Sequence, residues 1–371
     1  MVRGSADVLL FRTWSCEADT LLCRHPALPT PLTHQLNRVY FAFHKAMITA
    51  VTGASGHVGA CLCRRLLERG RKLRILVHRD LRGVEELAAE RMHVELDEPD
   101  TLVQAFTGVE VVYHLAATIS LDRRRQNQMM QTNVGGTRNV LAACAAAGVR
   151  RLVHFSSIEA LADLGGLSPT TEHNPLAVRS DTTAYGWSKA CAEALVMESA
   201  AAGLEAVILT PTAIIGPYDF RPSALGGTMI SVSQGRLPVL VQGGFNWVDV
   251  RDVVEAAIAA ERRGVSGERY LLAGTWLSLL DLSRLVDAAR GRKLARVAAP
   301  FWAARLGAAV IDLMGSLDGR QPVFTSDTLK AIGKHRRISI EKARRELDFR
   351  PRPLEDTVEQ TLSWFEEAGY L

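Results

Sequence analysis

Tyr185 and Lys189 stand four residues apart in the run Tyr185-Gly186-Trp187-Ser188-Lys189, the spacing at which two side chains leave the same helix face one turn apart. A free phenol ionises near ~10 and is a poor acid–base catalyst at neutral pH. An ammonium group beside it favours the phenolate. Y-x-x-x-K alone arises often by chance, so its position must give it meaning. Here it follows a predicted strand, Arg151–Ser156, whose end carries Ser156-Ser157. A hydroxyl at that strand tip can hold a carbonyl oxygen beside the tyrosine, and Ser157 is the expected residue, with Ser156 as its structural neighbour.

A second constellation lies nearer the N-terminus, in Thr52-Gly53-Ala54-Ser55-Gly56-His57-Val58-Gly59. Gly53 and Gly56 would let the backbone turn tightly against a pyrophosphate, and Gly59 would let a helix pack close to the sheet. The free N–H groups around Ser55, Gly56, His57 and Val58 would hold the anion. A strand before the turn and a helix after it are both predicted, which favours a dinucleotide site over a plain capping turn. At the end of the second strand an acidic residue would bond the ribose 2′ hydroxyl, whereas a cation suits a 2′-phosphate. The chain places His78 and Arg79 there, before Asp80, so NADP(H) is favoured over NAD(H).

The elements that must position these groups follow from periodicity. Strands are expected at Ile48–Thr52, Leu73–Val77, His93–Glu95, Val109–Leu115, Arg151–Ser156 and Ala206–Leu209. Helices are expected near Val58–Arg69, Val84–Arg91, Thr101–Phe106, Gln126–Ala147 and Thr183–Ala202. Such alternation implies right-handed βαβ crossovers and an α/β, Rossmann-like, doubly wound parallel sheet. Later segments predict a strand at Phe245–Val250, a helix to about Arg262, a strand at Arg269–Leu272 and a closing helix over Leu354–Gly369. The expected division is a poorly ordered extension over 1–46, a dinucleotide-binding core over 47–210, and a smaller, mostly helical substrate cap over 211–371. Residues 245–273 are expected to rejoin the core. A chain starting at Met47 would be a complete α/β protein.

Composition narrows the function classes. The 371 residues carry 44 basic and 40 acidic side chains, a net charge of +4, too mild and too dispersed to point to nucleic acid. Six cysteines in so long a chain make no disulfide framework, and Cys61 and Cys63 are too close together for a metal knuckle, so no metal is expected. Reduced thiols fit a cytoplasmic location. The apolar stretch Ala298–Met314 is broken by Arg305 and Asp312, too short and charged to span a bilayer. Trp302 and Leu306 within it are expected to pack in the core.

These motifs resemble the extended short-chain dehydrogenases/reductases, the NAD-dependent epimerase/dehydratase family. The resemblance rests on TGASGHVG, HLAA (His114–Ala117), TNVGGTRNVL (Thr132–Leu141), HFSS (His154–Ser157), YGWSK, PTAIIGP (Pro211–Pro217), FNWVDVRDV (Phe245–Val253) and KARRELDFRPRPLEDT (Lys342–Thr357), in that order. It is greatest to the branch of dihydroflavonol-4-reductase-like and 3β-hydroxysteroid dehydrogenase-like proteins. The resemblance implies that Tyr185 transfers the proton, that Lys189 binds the nicotinamide ribose and tunes the tyrosine, and that Ser157 orients the carbonyl. It further implies that Leu115, Ala116 and Ala117 pass along the cofactor, that Pro211 lies near the nicotinamide, and that Asn133 has either a cofactor or a structural role. His114 and His154 are expected as satisfied core histidines.

Two departures matter. Where the family commonly has Gly-Asp after the third strand, this chain has Val94-Glu95, so Glu95 and Leu96 are the expected adenine contacts. Where sugar-nucleotide epimerases have an arginine before the F-x-x-V strand, this chain has Gly243-Gly244, and a buried diphosphate without a cation is poorly balanced. Arg221 and Arg251 are the possible substitutes. The leading expectation is thus an NADP(H)-dependent oxidoreductase acting on a ketone or secondary alcohol of a small, largely apolar substrate. The alternatives are a nucleotide-sugar epimerase or dehydratase with tightly bound NAD, and a non-catalytic dinucleotide-binding regulator, which would have no need of the Ser157, Tyr185 and Lys189 set. In the family, the Ala-rich helices Asn139–Ala147 and Lys189–Ala202 pair across a homodimer.

Overall fold

The computed structural model describes residues 48–119, 126–165, 168–300, 302–303 and 332–371. The expectations for residues 1–46 and for Leu306 lie outside these residues.

The chain opens with β1 (Ile48–Thr52), α1 (His57–Glu68), β2 (Lys72–Val77), β3 (Glu90–His93), α2 (Pro99–Phe106) and β4 (Val109–His114). A helical run follows: α3 (Gln126–Met130), a π-helical turn (Gln131–Gly135) and α4 (Gly136–Ala147). Next come β5 (Arg151–Phe155), a 3₁₀ turn (Ile158–Ala160), α5 (Ala184–Ala201) and β6 (Ala206–Pro211). The remainder comprises β7 (Ala213–Ile215), α6 (Ala224–Ser233), β8 (Val239–Val241), β9 (Gly244–Asp249), α7 (Val250–Arg263) and β10 (Arg269–Leu272). It closes with β11 (Thr275–Ser278), α8 (Leu279–Ala289), β12 (Val297–Ala299), α9 (Glu341–Leu347) and α10 (Leu354–Glu367).

Seven of these strands form one parallel sheet in the order β3-β2-β1-β4-β5-β6-β10. Both faces are covered, as apolar strands in such a sheet require. Alternate side chains point to opposite faces: Val51, Ile75, Tyr113 and Val153 meet α1, α7 and α9. Ala50, Leu76, Val112 and Leu152 meet α2, α4 and α5. The strand order reverses between β1 and β4. There the two flanking crossovers diverge, and a crevice opens at the carboxyl ends of the strands.

A third apolar cluster, including Ile215, Met229, Trp247, Leu279, Leu362 and Phe365, lies in the later half around a three-stranded sheet in the order β11-β9-β7. In the segment expected to rejoin the core from about residue 245, Val248 and Val250 both enter the cluster around Val51 and Tyr113. Residues 244–249 pair with β7 and β11, after which α7 packs on α1 and β10 joins the edge of the large sheet.

Three expectations are corrected. Val84–Ala89 forms turns and bends, and Glu90 and Arg91 begin β3, in place of a helix: Gly83 sits at φ +78°, and the Arg91 guanidinium takes the carbonyls of Val84, Glu85 and Leu87, which a helix would need for its own ladder. The third strand pairs with β2 over Glu90–His93, leaving Glu95 beyond its end. Trp302 is 68% exposed, lying past the last β12 residue paired with β8, so it does not enter the core. Among the described residues no helix is long and apolar enough to cross a membrane, and no cluster of His, Cys, Asp or Glu gathers to hold a metal.

Candidate active site

The turn from β1 into α1 depends on its glycines. Gly53 has φ +70°, and a Cβ there would lie 2.6 Å from the Ala116 nitrogen. A Cβ on Gly59 would lie 2.2 Å from the Gly53 carbonyl oxygen. The turn is thus pressed between the Leu115–Ala116 backbone and the first turn of α1, closed by Gly56 N–H donating to Gly53 O at 3.1 Å. Gly56 is the N-cap and provides no side-chain cap, so the first N–H groups of α1 are left for an external acceptor. Such a cradle, walled by backbone and ending in uncapped donors, fits a dinucleotide pyrophosphate. The ring of His57 turns away from it, donating from Nε2 to the Pro217 carbonyl at 3.0 Å, so this residue can serve the anion only through its backbone.

A buried hydrogen-bond chain fixes the loop after β4. Thr137 donates to the Asn133 carbonyl (2.6 Å), so its oxygen must accept from His114 Nε2–H (3.0 Å). His114 Nδ1 then accepts from the Thr52 hydroxyl (2.8 Å), and Thr52 Oγ1 in turn accepts from Ala116 N–H (3.2 Å). This direction of donors allows only a neutral imidazole. Burial, aided by the Lys189 charge, pushes the His114 pKa down to about 3. His154, its tilted neighbour at 5.3 Å, is also buried and held well below the ordinary range, again by burial first. Unlike His114, it has no ring hydrogen bond among the described residues. The expectation of two satisfied core histidines therefore holds for only one.

Asn133 sits in the π-helical turn. Its Oδ1 accepts from Thr118 N–H (2.7 Å), and its Nδ2 donates to Thr118 O (3.0 Å) and Ser188 Oγ (2.9 Å). The amide is fully engaged by protein. It ties the Leu115–Thr118 loop to α5 beside Lys189. The Leu96 side chain packs on Gly136 of α4, and its carbonyl accepts from Asn139 (2.8 Å). Glu95 pairs with His78 (2.6 Å), so these two predicted cofactor residues bind each other at the end of β2. Arg79 makes no hydrogen bond or ion pair among the described residues. Pro211 is buried at the tip of β6, in register with Leu272.

Of the three predicted catalytic residues, Ser157 and Tyr185 meet, and Lys189 reaches the Phe155 carbonyl at the end of the strand that leads to Ser157. Thr183 caps α5 by accepting from Gly186 N–H (3.0 Å) and anchors its own hydroxyl on Glu159 Oε2 (2.5 Å). Gly186 is required here, because a Cβ would lie 2.5 Å from the Glu159 carbonyl. The start of α5 is thereby held against the 3₁₀ turn that Ser157 caps. The Ser157 hydroxyl is close enough to the Tyr185 phenol to draw its pKa down, but burial and the Glu159 charge dominate and hold it well above the usual range. Lys189 is buried, donates to the Phe155 carbonyl (2.5 Å), and is pushed down to about 8 by burial, against the opposing pull of Glu193.

Two functional carboxylates were not foreseen. Glu193, wholly buried, accepts from Ser156 and pairs with Arg269 beneath Lys189. Glu159 lies two residues past Ser157, and that proximity in sequence was the available signal. Replacing Glu159 by Gln keeps an acceptor for Thr183 but removes the charge that raises the phenol. Reduction needs the protonated phenol and fails as pH rises through its pKa, so the alkaline limb of the kcat/KM profile should move to lower pH. An unmoved limb would show that this carboxylate does not act on Tyr185.

Comparison with known proteins agrees with this geometry. The family profile described as the NAD dependent epimerase/dehydratase family matches residues 49–273, more than half of the chain. Sterol demethylase protein B from Methylococcus capsulatus is 34% identical over 88% of this chain and 100% of its own length. A 4-hydroxy-2-methyl-3-oxo-4-farnesyl-3,4-dihydroquinoline-1-oxide ketoreductase from Stigmatella aurantiaca is 31% identical over 87% of this chain and 97% of its own. Among solved structures, a nucleoside-diphosphate-sugar epimerase from Pseudomonas aeruginosa superposes with a TM-score of 0.73 at 25% identity, covering 88% of this chain and 99% of that one.

Proposed function

This chain belongs to the NAD dependent epimerase/dehydratase family, and we propose that within it the protein interconverts a ketone and a secondary alcohol with NADP(H), on a small, largely apolar substrate. It is an NAD(P)-dependent oxidoreductase of the extended short-chain type. The residues that would hold the dinucleotide are the Gly53–Gly59 turn, the Leu115–Ala117 loop, Lys189 and Pro211. When bound, the nicotinamide supplies or accepts the hydride.

The observation that carries the reading is the Tyr185 phenol set against the Ser157 hydroxyl at the end of β5. A ketone oxygen held by Ser157 receives hydrogen bonds where negative charge develops and takes its proton from Tyr185. Lys189, an ammonium below about 8, stabilises the phenolate that the transfer leaves behind. Two relatives support an apolar substrate by name, one referring to a sterol and one to a farnesyl-bearing oxo compound, and the second, a ketoreductase, also supports a ketone.

The epimerase alternative is weakened by the two arginines that could replace its missing cation. Arg251 is clamped on Asp249 (2.6 and 2.9 Å) and bonded to Gln360. Arg221 stands by Asp80, at the adenosine side. The exposed Ala142, Ala146 and Met197 on α4 and α5 support a homodimer through these helices, and the free thiols of Cys61, Cys63, Cys144 and Cys191 support a cytoplasmic location.

Titration of purified protein with each reduced cofactor tests the reading. NADPH should bind about ten-fold or more tightly than NADH, the scale of one good cation–phosphate contact. NAD that copurifies and resists dialysis would support the epimerase instead.

A further inference from the structure

The charges at the end of β2 are unequally engaged. Asp80 receives Arg82 through its backbone N–H (3.1 Å), Nε (2.9 Å) and Nη2 (2.6 Å), and this partner keeps its carboxyl below the usual range. Asp80 is therefore not a free acceptor for a ribose hydroxyl. Arg79 is unpaired among the described residues, and Arg221 is 73% exposed, its Nη1 held 3.8 Å from Asp80 Oδ2, beyond hydrogen-bonding distance.

Arg221 reaches this place from the later half of the chain by a built path. The segment Gly216–Arg221 crosses α1: Pro217 is bonded by His57, and the Arg64 guanidinium lies 5.1 Å from the Tyr218 ring and 4.7 Å from the Phe220 ring. Tyr218 takes a left-handed φ of 71°, a conformation that needs surrounding contacts to hold it. Phe220 presses on Gly83, where a Cβ would lie 2.5 Å from the ring, and its carbonyl accepts from the Tyr370 hydroxyl (2.6 Å). The backbone that leads to Arg221 is thus fixed, and its exposed side chain extends beside Asp80.

We propose that Arg221 is a specificity-determining residue contributed by the cap, closing with Arg79 and Arg82 on the 2′-phosphate of NADP(H). Three guanidinium charges outnumber the nearby carboxylates of Asp80 and Glu95, the latter turned to His78, and leave a net positive site for a phosphate. Asp80 acts as the tether that orients Arg82 and Arg221, so the cap and the core read the cofactor together. This inference rests on the NADP(H) preference proposed above.

Its test is the dissociation constant of NADPH and of NADH, measured by tryptophan fluorescence, for wild type, Arg221→Gln, Arg221→Lys and the exposed control Arg284→Gln. Arg221→Gln should weaken NADPH about ten-fold and leave NADH unchanged, and Arg221→Lys should recover part of the loss, since it keeps the charge but not the planar fork. Arg284→Gln should change neither. If wild type prefers NADPH but Arg221→Gln leaves both constants unmoved, or lowers both cofactors equally, the inference is wrong and the preference stands on Arg79. An equal loss in Arg284→Gln would reduce the effect to overall charge and also overturn it. If wild type shows no preference, the cofactor reading fails first and takes the inference with it.

Discussion

Tyr185→Phe loses ketone reduction by roughly a thousand-fold, within the range ascribed to a positioned general acid, while its NADPH dissociation constant stays within about two-fold of wild type. The asymmetry follows from the geometry. The hydroxyl is the only atom removed, and the pyrophosphate cradle is built from Gly53, Gly56 and Gly59, on a different crossover. The helix start that carries Tyr185 is fixed by Thr183 and Gly186 against the Glu159 turn, none of which the phenol supports. Steady-state kinetics with the best carbonyl substrate and a parallel fluorescence titration measure the two quantities. Full activity in the variant would remove Tyr185 from the chemistry, and a collapse of NADPH binding would make it structural.

Gly59→Ala has a comparably large effect by another route. The added methyl would lie 2.2 Å from the Gly53 oxygen, 2.8 Å from Ala54 Cα and 2.9 Å from Ala54 C. All three are backbone atoms of the cradle itself, so no side-chain rotation can relieve the overlap. The turn must open, and its N–H groups lose their common focus. NADPH affinity should fall about a hundred-fold or more, with about 1–3 kcal/mol of stability lost to overpacking. Gly227→Ala is the control: it lies in α6, where a Cβ meets nothing within 4 Å, and alanine is the better helix former by about 1 kcal/mol. It should bind NADPH normally and unfold at an equal or higher denaturant concentration. Normal NADPH binding by Gly59→Ala would mean the cofactor does not use this turn.

What the chain revealed without coordinates was whatever local spacing encodes. The strand–glycine–helix unit and the four-residue step from Tyr185 to Lys189 need no knowledge of distant contacts, and β1 and β10 fall where their apolar runs predicted. Short cap strands such as β7, β8 and β12, three residues each, are too brief for an alternation to register. The helix expected over Val84–Arg91 failed because Arg91 and Gly83 redirect its carbonyls, a tertiary effect. The same is true of the site's supports. The donor chain from Ala116 through Thr52, His114 and Thr137 to Asn133 depends on β1 and β4 standing in register, Thr52 opposite His114. Asn133 could be placed near the cofactor by resemblance, but only packing shows its amide bonded to Thr118 and Ser188. Arg221 was weighed as a diphosphate clamp, and its position beside Asp80 depends on how the Gly216–Arg221 segment crosses α1.

The central claim is net hydride transfer from the cofactor to a ketone, with Tyr185 supplying the proton. Turnover of a carbonyl substrate with NADPH deuterated at the transferring carbon tests it most directly, with the product read by mass spectrometry. The account predicts one deuterium on the carbinol carbon and one oxidised cofactor released for each alcohol formed. An isomerised or dehydrated product without label, and no oxidised cofactor released, would contradict it.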